Sequence, residues 1–367
     1  MAAGRLIVLV LTAAAAAYQL LTALACVLFL KLPAAHWSSR RPAVSILKPV
    51  RGLDPKFSEA LASHGSQTGE FEILCGVQNL DDDAIAVIKD IPGVQLIHAR
   101  TTALNGKAAA LIDLAAKARY DLLVANDADV RVEPDYLDRV TAPLADPSVG
   151  LVTCLYRPVA DTFAARLEGL GILTDFAPSV LVARLLGVDD FAMGSTLAIR
   201  RADLERIGGF AAISNYLADD YQLGQRIHSL GLHCILSDVV IETHIGGTWK
   251  EVWRHQLRWA RTIRVSRPGG YLGLPITNAT LWVIVALAAG SVPAAIALLA
   301  LRFLNALLAG AALKSREPLR LLLLVPLRDL LGLAVWFVGL FGHTVEWRGL
   351  HLRLNSDGRI ESVSPAR

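Results

Sequence analysis

Hydrophobic runs of two very different lengths divide this chain. The first is long: Leu6 to Leu30 holds 25 residues without a charge, enough for a helix across a hydrocarbon core about 30 Å thick. Lys31, Pro33 and His36 follow it, with no small-residue cleavage site, so an uncleaved anchor is expected. Between about residues 42 and 270 the apolar runs shorten and alternate with polar turns. Beyond about residue 272 the long runs return. Thr280 to Leu301 is uncharged, and Phe303 to Leu313 extends it past Arg302. Gly290, Ser291 and Pro293 near its middle predict two helices joined by a tight turn. A last run, Leu321 to Gly342, is interrupted by Arg328 and Asp329. Charges at that depth line a protein interior, or pair with each other near an interface. One N-terminal span and two or three C-terminal spans are expected.

The short runs read as strands. Val44–Leu47 precedes a turn-forming Lys48 to Gly52, and Phe71–Val77, Val94–His98 and Leu122–Ala125 follow. Between them, Asp83 to Asp90 reads as helix, and a second helix runs from Ala108 to Ala118 with Asn105 as its cap. Such alternation predicts an α/β domain with a parallel-type sheet. Two of its strands end in acid: Asp81 to Asp83 after one, Asp127 and Asp129 after another. Ligands bind at the carboxyl ends of strands in open α/β sheets. Asp127 and Asp129 have the spacing to give a hard divalent cation oxygen ligands, and that cation can carry phosphates; a capped or solvated turn is the plainer reading. Asp81 to Asp83 would hydrogen-bond a nucleoside, or simply cap the next helix. Lys107 would neutralise a phosphate, or lie on the surface of a first helical turn. Further on, Gly194 and Ser195 precede a strand-like run to Arg200, Gly208 and Gly209 make a turn, and a helix starts near Leu217 and reaches Leu230. Asp219 and Asp220 fall in its first turn, where a helix dipole favours carboxylates and one of the two could act as a general base.

Composition supports one soluble domain tied to a membrane part: 54% of residues are hydrophobic and 19% charged. A net charge of +3 gives no reason to expect nucleic acid. Cys26, Cys75, Cys154 and Cys234 lack metal-binding or disulfide spacing. Lys31, Arg40, Arg41, Lys48 and Arg51 follow the first span, and Arg254, Arg258, Arg261, Arg264 and Arg267 precede the later ones. Basic flanks on both sides place the domain in the cytoplasm. Arg254, Arg258, Arg261 and Arg264 form one helical stripe, suited to lipid headgroups or to an anionic leaving group. Leu167 to Val188 is apolar enough for a core helix or a helix pair, or for an interfacial segment that guides a lipid headgroup. The Ala- and Leu-rich composition is compatible with a bacterial inner membrane.

The ordered motifs VSILKPVRGLD (44–54), EILCGVQNLDDDA (72–84), LNGK (104–107), YDLLVANDADVRV (120–132), MGSTLAIRRADLERIGGF (193–210), YLADDYQLG (216–224) and HQLRWAR (255–261) resemble the inverting GT-A glycosyltransferases. More narrowly they are similar to the ceramide glucosyltransferase family, as is WRGLHLRL (347–354). The resemblance implies an anchor and basic flank over 1–41, a GT-A catalytic domain over 42–271, transmembrane helices over 272–345 and a polar tail over 346–367. It implies that Asp82 and Lys107 lie near the nucleotide and that Asp127 and Asp129 hold Mg2+ or Mn2+ on the diphosphate of a UDP-sugar. Asp220 is the implied catalytic base, and Arg258 with Trp259 belongs to a (Gln/Arg)-x-x-Arg-Trp motif. His255 stands where the family has Gln or Arg, which puts that position's role in doubt. The implied acceptor is a lipid hydroxyl, that of ceramide receiving glucose. A related bacterial branch instead transfers N-acetylglucosamine to a hopanoid polyol.

Overall fold

The computed structural model describes residues 2–39 and 41–365; Arg40, part of the basic flank, lies outside the described residues. Eight strands form the central sheet: β1 (Val44–Val50), β2 (Phe71–Val77), β3 (Val94–His98), β4 (Leu122–Asn126), β5 (Val130–Arg131), β6 (Val149–Ala160), β7 (Thr196–Arg200) and β8 (His233–Ile245). Their order is β3-β2-β1-β4-β7-β6-β8-β5. β1 to β4 are parallel, as strand–helix alternation predicts. The sheet as a whole is mixed, because β7 is antiparallel to both β4 and β6. After β6 the chain stays at the carboxyl edge and re-enters the sheet from there, so β7 has to run backwards. Hydrophobic periodicity does not reveal which edge a chain re-enters.

β1 is longer than expected. Its pairing continues through Lys48↔Cys75, Pro49↔Gly76 and Val50↔Val77, so the predicted turn begins only at Arg51. Pro49 is tolerated because pairing with β4 on the other side stops at Leu47↔Ala125. Helices α2 (Phe57–Gly65), α3 (Ala84–Asp90) and α5 (Tyr136–Thr141) pack on one face. On the other lie α4 (Gly106–Lys117), α8 (Arg201–Arg206) and α9 (Asp219–Ser229). Burial on both faces explains why these strands read as unbroken apolar runs.

Among the described residues three helical segments are long and apolar enough to cross a membrane: Val10–Leu30 within α1 (Ala2–Leu30), α13 (Val292–Ala312), and Leu322–Gly339, which contains α15 (Val325–Gly339). Just before α13, α11 (Pro268–Thr277) and α12 (Ala279–Ala288) make a pair bent by 56°, a broken span or a re-entrant loop. The tight turn expected near Gly290 separates α12 from α13, with Gly290 at φ 77°. The short α14 (Glu317–Arg320) follows. Arg328 and Asp329 do not pair with each other. Asp329 accepts from Arg302 and Thr280, while Arg328 donates to Gln256 at 2.8 Å.

The apolar stretch from Leu167 to Val188 forms α6 (Phe163–Gly171), a π-helical turn over Ile172–Phe176, and α7 (Ala177–Leu185). Leu173, Ala177 and Leu181 pack on Cys26 and Phe29 of α1 and on Ala309 and Leu313 near the end of α13. The three segments follow one another without a break, so the stretch is a single core helix with a π-helical turn at its middle, wedged between sheet domain and apolar helices.

Two expectations change at the C-terminus. The segment expected as a polar tail contains an antiparallel sheet of β9 (Thr344–Trp347), β10 (Leu350–Leu354) and β11 (Ile360–Pro365). Val345, Leu352, Leu354 and Ile360 bury against Leu217, and Ile360 N donates to Asn215 O at 2.8 Å. The arginine stripe on α10 (Trp249–Ser266) mostly fastens this region instead of facing lipid. Arg254 reaches Glu346, Arg261 the carbonyls of Phe341 and Thr344, and Arg264 those of Leu340 and Gly342. Arg267, just beyond α10, pairs with Asp190. Those of Leu340, Phe341 and Gly342 lie just past the end of α15, and arginine is the side chain suited to such carbonyls.

Candidate active site

The strand order reverses between β1 and β4: the chain moves outward to β3 and then returns to the other side of β1. This switch point opens a crevice at the carboxyl ends, and β4 delivers Asp127 and Asp129 there. Val130 N donates to Asp127 O at 3.3 Å, closing a turn that leaves both side chains partly exposed. Buried Asn126 anchors the turn from below. Its amide nitrogen lies 2.8 Å from Tyr136 OH, 2.9 Å from Ser195 O and 3.0 Å from Thr196 Oγ1. Lys48, placed in a turn by its sequence context, instead rises from β1 fully buried and donates to Asp127 O at 3.0 Å. Burial draws its ammonium down to about 8, against the pull of Cys75, Asp129 and Asp127. No sequence signal marked it, since Lys-Pro is more often a turn.

Lys107 joins two halves of the site. Asn105 caps α4 by accepting from Ala108 N, which aims the first turn at the crevice. Lys107 Nζ lies 2.6 Å from Asp127 Oδ1 and donates to Gly194 O at 3.0 Å. Burial opposes its charge, but Asp127 and then Asp219 outweigh it, and the ammonium stays protonated well above its usual range. Gly194 N in turn donates to Asp220 Oδ2 at 2.7 Å, and Tyr221 N to Asp220 Oδ1 at 2.7 Å. Burial raises the Asp220 carboxyl; Lys107 and these two N–H groups partly offset it. Asp219 is more deeply buried, and its Oδ2 meets no hydrogen-bond partner among the described residues. A Cβ on Gly194 would sit 3.0 Å from both Asp220 Oδ2 and Lys107 Nζ, so the bare backbone lets the two approach.

Asp82 stands at the rim. Its carboxylate accepts from Gly52 N at 2.7 Å and Ala84 N at 3.0 Å, tying the loop after β1 to the start of α3. Arg258 is the one member of the stripe turned to the site. Its guanidinium sits 6.0 Å over the Trp347 ring, and burial draws it down to about 10 against the pull of Asp127 and Glu168. Trp259 belongs to a wall, 6.0 Å from Phe176 and 4.5 Å from the His255 ring, with Tyr156 5.6 Å beyond Phe176. His255 Nδ1 lies 2.6 Å from Oε1 of buried Glu168, which also accepts from Gln256 at 2.9 Å. The structure therefore brings together Lys107, Asp127, Asp129, Asp220 and Arg258, with Asp82 and Trp259 at the edges. Lys48 and Glu168 are the additions.

Among the described residues no group of three or more His, Cys, Asp or Glu side chains is arranged to hold a metal. A pair of carboxylates still fits a small hard cation, which keeps waters and takes phosphate oxygens for its remaining positions. Burial, followed by Asp127 and Asp54, pushes the Asp129 carboxyl up to about 7. That crowding of negative charge is what a cation relieves.

The chain is similar to two proteins of Caenorhabditis elegans. It is 28% identical to ceramide glucosyltransferase 1 over 206 residues, covering 53% of this chain and 44% of that protein. To ceramide glucosyltransferase 3 it is 26% identical over 211 residues, covering 54% and 45%. The chain thus matches less than half the length of these relatives. Its fold is shared with a mannosyltransferase from Pyrobaculum calidifontis, solved in complex with GDP-Man and Mn2+. The TM-score is 0.57 at 22% identity, over 91% of this chain and 99% of the other. This likeness and the mixed sheet make the architecture GT-A. A model of glycosyl transferase family 21 matches residues 7–360, and the chain belongs to that family.

Proposed function

We propose that the protein is an inverting glycosyltransferase that moves a hexose from a UDP-sugar to the hydroxyl of a membrane lipid, glucose to ceramide being the first assignment. The observation that carries this reading is the relay Asp127–Lys107–Gly194–Asp220, which sets a phosphate-side carboxylate and a candidate base on either side of one lysine. Asp127 and Asp129 would hold Mg2+ or Mn2+, which when bound would neutralise the donor's diphosphate. Lys107 and Arg258 bring positive charge to the same place, and a guanidinium binds phosphate oxygens in pairs. Asp82 holds the loops that flank the nucleotide.

Asp220 is the base. Two backbone N–H groups fix its orientation and leave lone pairs free for an acceptor hydroxyl. Its raised affinity for protons makes it a better base than a solvated aspartate. Proton removal as the hydroxyl attacks the anomeric carbon, with departure of the nucleoside diphosphate from the far face, inverts the sugar in one displacement. Tyr156, Phe176, Trp259 and His255 form a contiguous aromatic wall that reaches the π-helical turn between α6 and α7. It supports entry of an amphipathic acceptor from the apolar helices. Basic flanks at Arg41 and along α10 support a cytoplasmic catalytic face and an inner-membrane location.

The test uses purified full-length protein in detergent with Mg2+ or Mn2+. UDP-glucose, UDP-N-acetylglucosamine and GDP-mannose are each paired with ceramide or a hopanoid polyol. Glucosylceramide from the first pairing alone is expected. Product only from N-acetylglucosamine and the polyol would move the assignment to hopanoid glycosylation, and no product from any pairing would overturn both.

A further inference from the structure

The turn joining β9 to β10 breaks a local rule. Trp347 pairs with Leu350, so only Arg348 and Gly349 lie between the strands, and their φ values are 51° and 74°. A two-residue hairpin with positive φ at both positions favours Asn, Asp or Gly at the first. Arginine there carries a steric penalty that asparagine would largely avoid. Backbone of this kind, held against side-chain preference, concentrates at functional sites.

The position of the side chain supplies a reason. The Arg348 guanidinium forms two parallel hydrogen bonds with Asp54, both 2.8 Å, and remains partly exposed. Asp54 lies in the loop that leaves β1 at the switch point, and in the same loop Gly52 N is held by Asp82. Arg51 reaches back to Arg348 O at 3.5 Å. The neighbouring Trp347 supports Arg258 from below. The turn therefore brings a second guanidinium to the crevice from the far end of the chain, beside a strand end rich in carboxylates. A surface ion pair contributes at most about 1 kcal/mol and gives no reason for a left-handed arginine.

We propose that Arg348 binds the diphosphate of the nucleotide donor, with Asp54 as its partner while the donor is absent. The chemistry is a direct exchange, since the fork that matches a carboxylate also matches two phosphate oxygens. This rests on the donor reading above and adds to it a residue outside the sheet domain.

Binding of UDP, GDP and uridine to the full-length protein in detergent with Mg2+, measured by calorimetry, tests the proposal. Arg348→Asn suits the turn and should leave the melting temperature equal or higher. It should weaken UDP about tenfold or more while uridine is unchanged. Arg348→Lys, which keeps the charge but not the fork, should fall between. Unchanged UDP affinity in Arg348→Asn would overturn the proposal, as would equal loss of UDP and uridine with a lowered melting temperature. Failure of the unaltered protein to bind either UDP or GDP would overturn the donor reading itself, and Arg348's role with it.

Discussion

Around Asp220 the requirements of stability and of chemistry diverge. Burial raises its carboxyl, with Lys107 and two N–H groups as partial compensation. A group whose folded value lies above its unfolded one supports the fold at low pH and withdraws that support as pH rises through the folded value. The ionised base thus costs stability at neutral pH. Asp220→Asn should lower kcat by about a hundredfold or more without lowering the melting temperature; unimpaired transfer would remove Asp220 from its role. The same shift predicts that kcat of the unaltered enzyme falls as pH drops and the adjacent Asp219 and Asp220 carboxyls take up protons together. Gly194→Ala tests the relay, because its methyl would press on Lys107 and Asp220 at 3.0 Å. Lower kcat with an unchanged melting temperature is the expected result.

Between elements, buried Glu168 on α6 is the junction. It accepts from His255 and Gln256 of α10, and Gln256 accepts from Arg328 of α15. Three helices are thereby locked together behind the aromatic wall. Glu168→Ala strips a buried network of its acceptor and should destabilise the protein by about 3 kcal/mol, read as an earlier denaturation midpoint in detergent. Glu168→Gln, which retains an acceptor, should lose less. His255 differs from the family pattern, yet it is held by this carboxylate at the site, so its substitution should disturb acceptor KM more than donor KM.

Across the whole molecule, the C-terminal sheet closes back on the catalytic domain. Val345, Leu352, Leu354 and Ile360 share a cluster with Leu217, two residues before α9, which carries the proposed base Asp220. Truncation after Gly342 should therefore abolish transfer while leaving the apolar helices able to insert, as judged by membrane fractionation and product formation. Retained activity would show that the sheet is dispensable.

Sequence alone determined the elements whose signal is local. The uncharged runs marked off helices long and apolar enough to span a membrane, and alternating short runs located β2 and β3 to the residue. Asp127, Asp129, Lys107 and Asp220 stood out because carboxylates and lysine at strand and helix ends are chemically conspicuous. What depends on contact between distant segments was decided only by the tertiary structure. Lys48 reads as a turn residue until pairing with β2 buries it. The direction of β7 depends on which edge the chain re-enters. The arginines of α10 read as a lipid-facing stripe until helix-end carbonyls claim them, and Arg348 gains meaning only where a turn near the C-terminus meets Asp54. Periodicity and residue type are properties of a few neighbouring positions, whereas burial and charge pairing depend on segments brought together by folding.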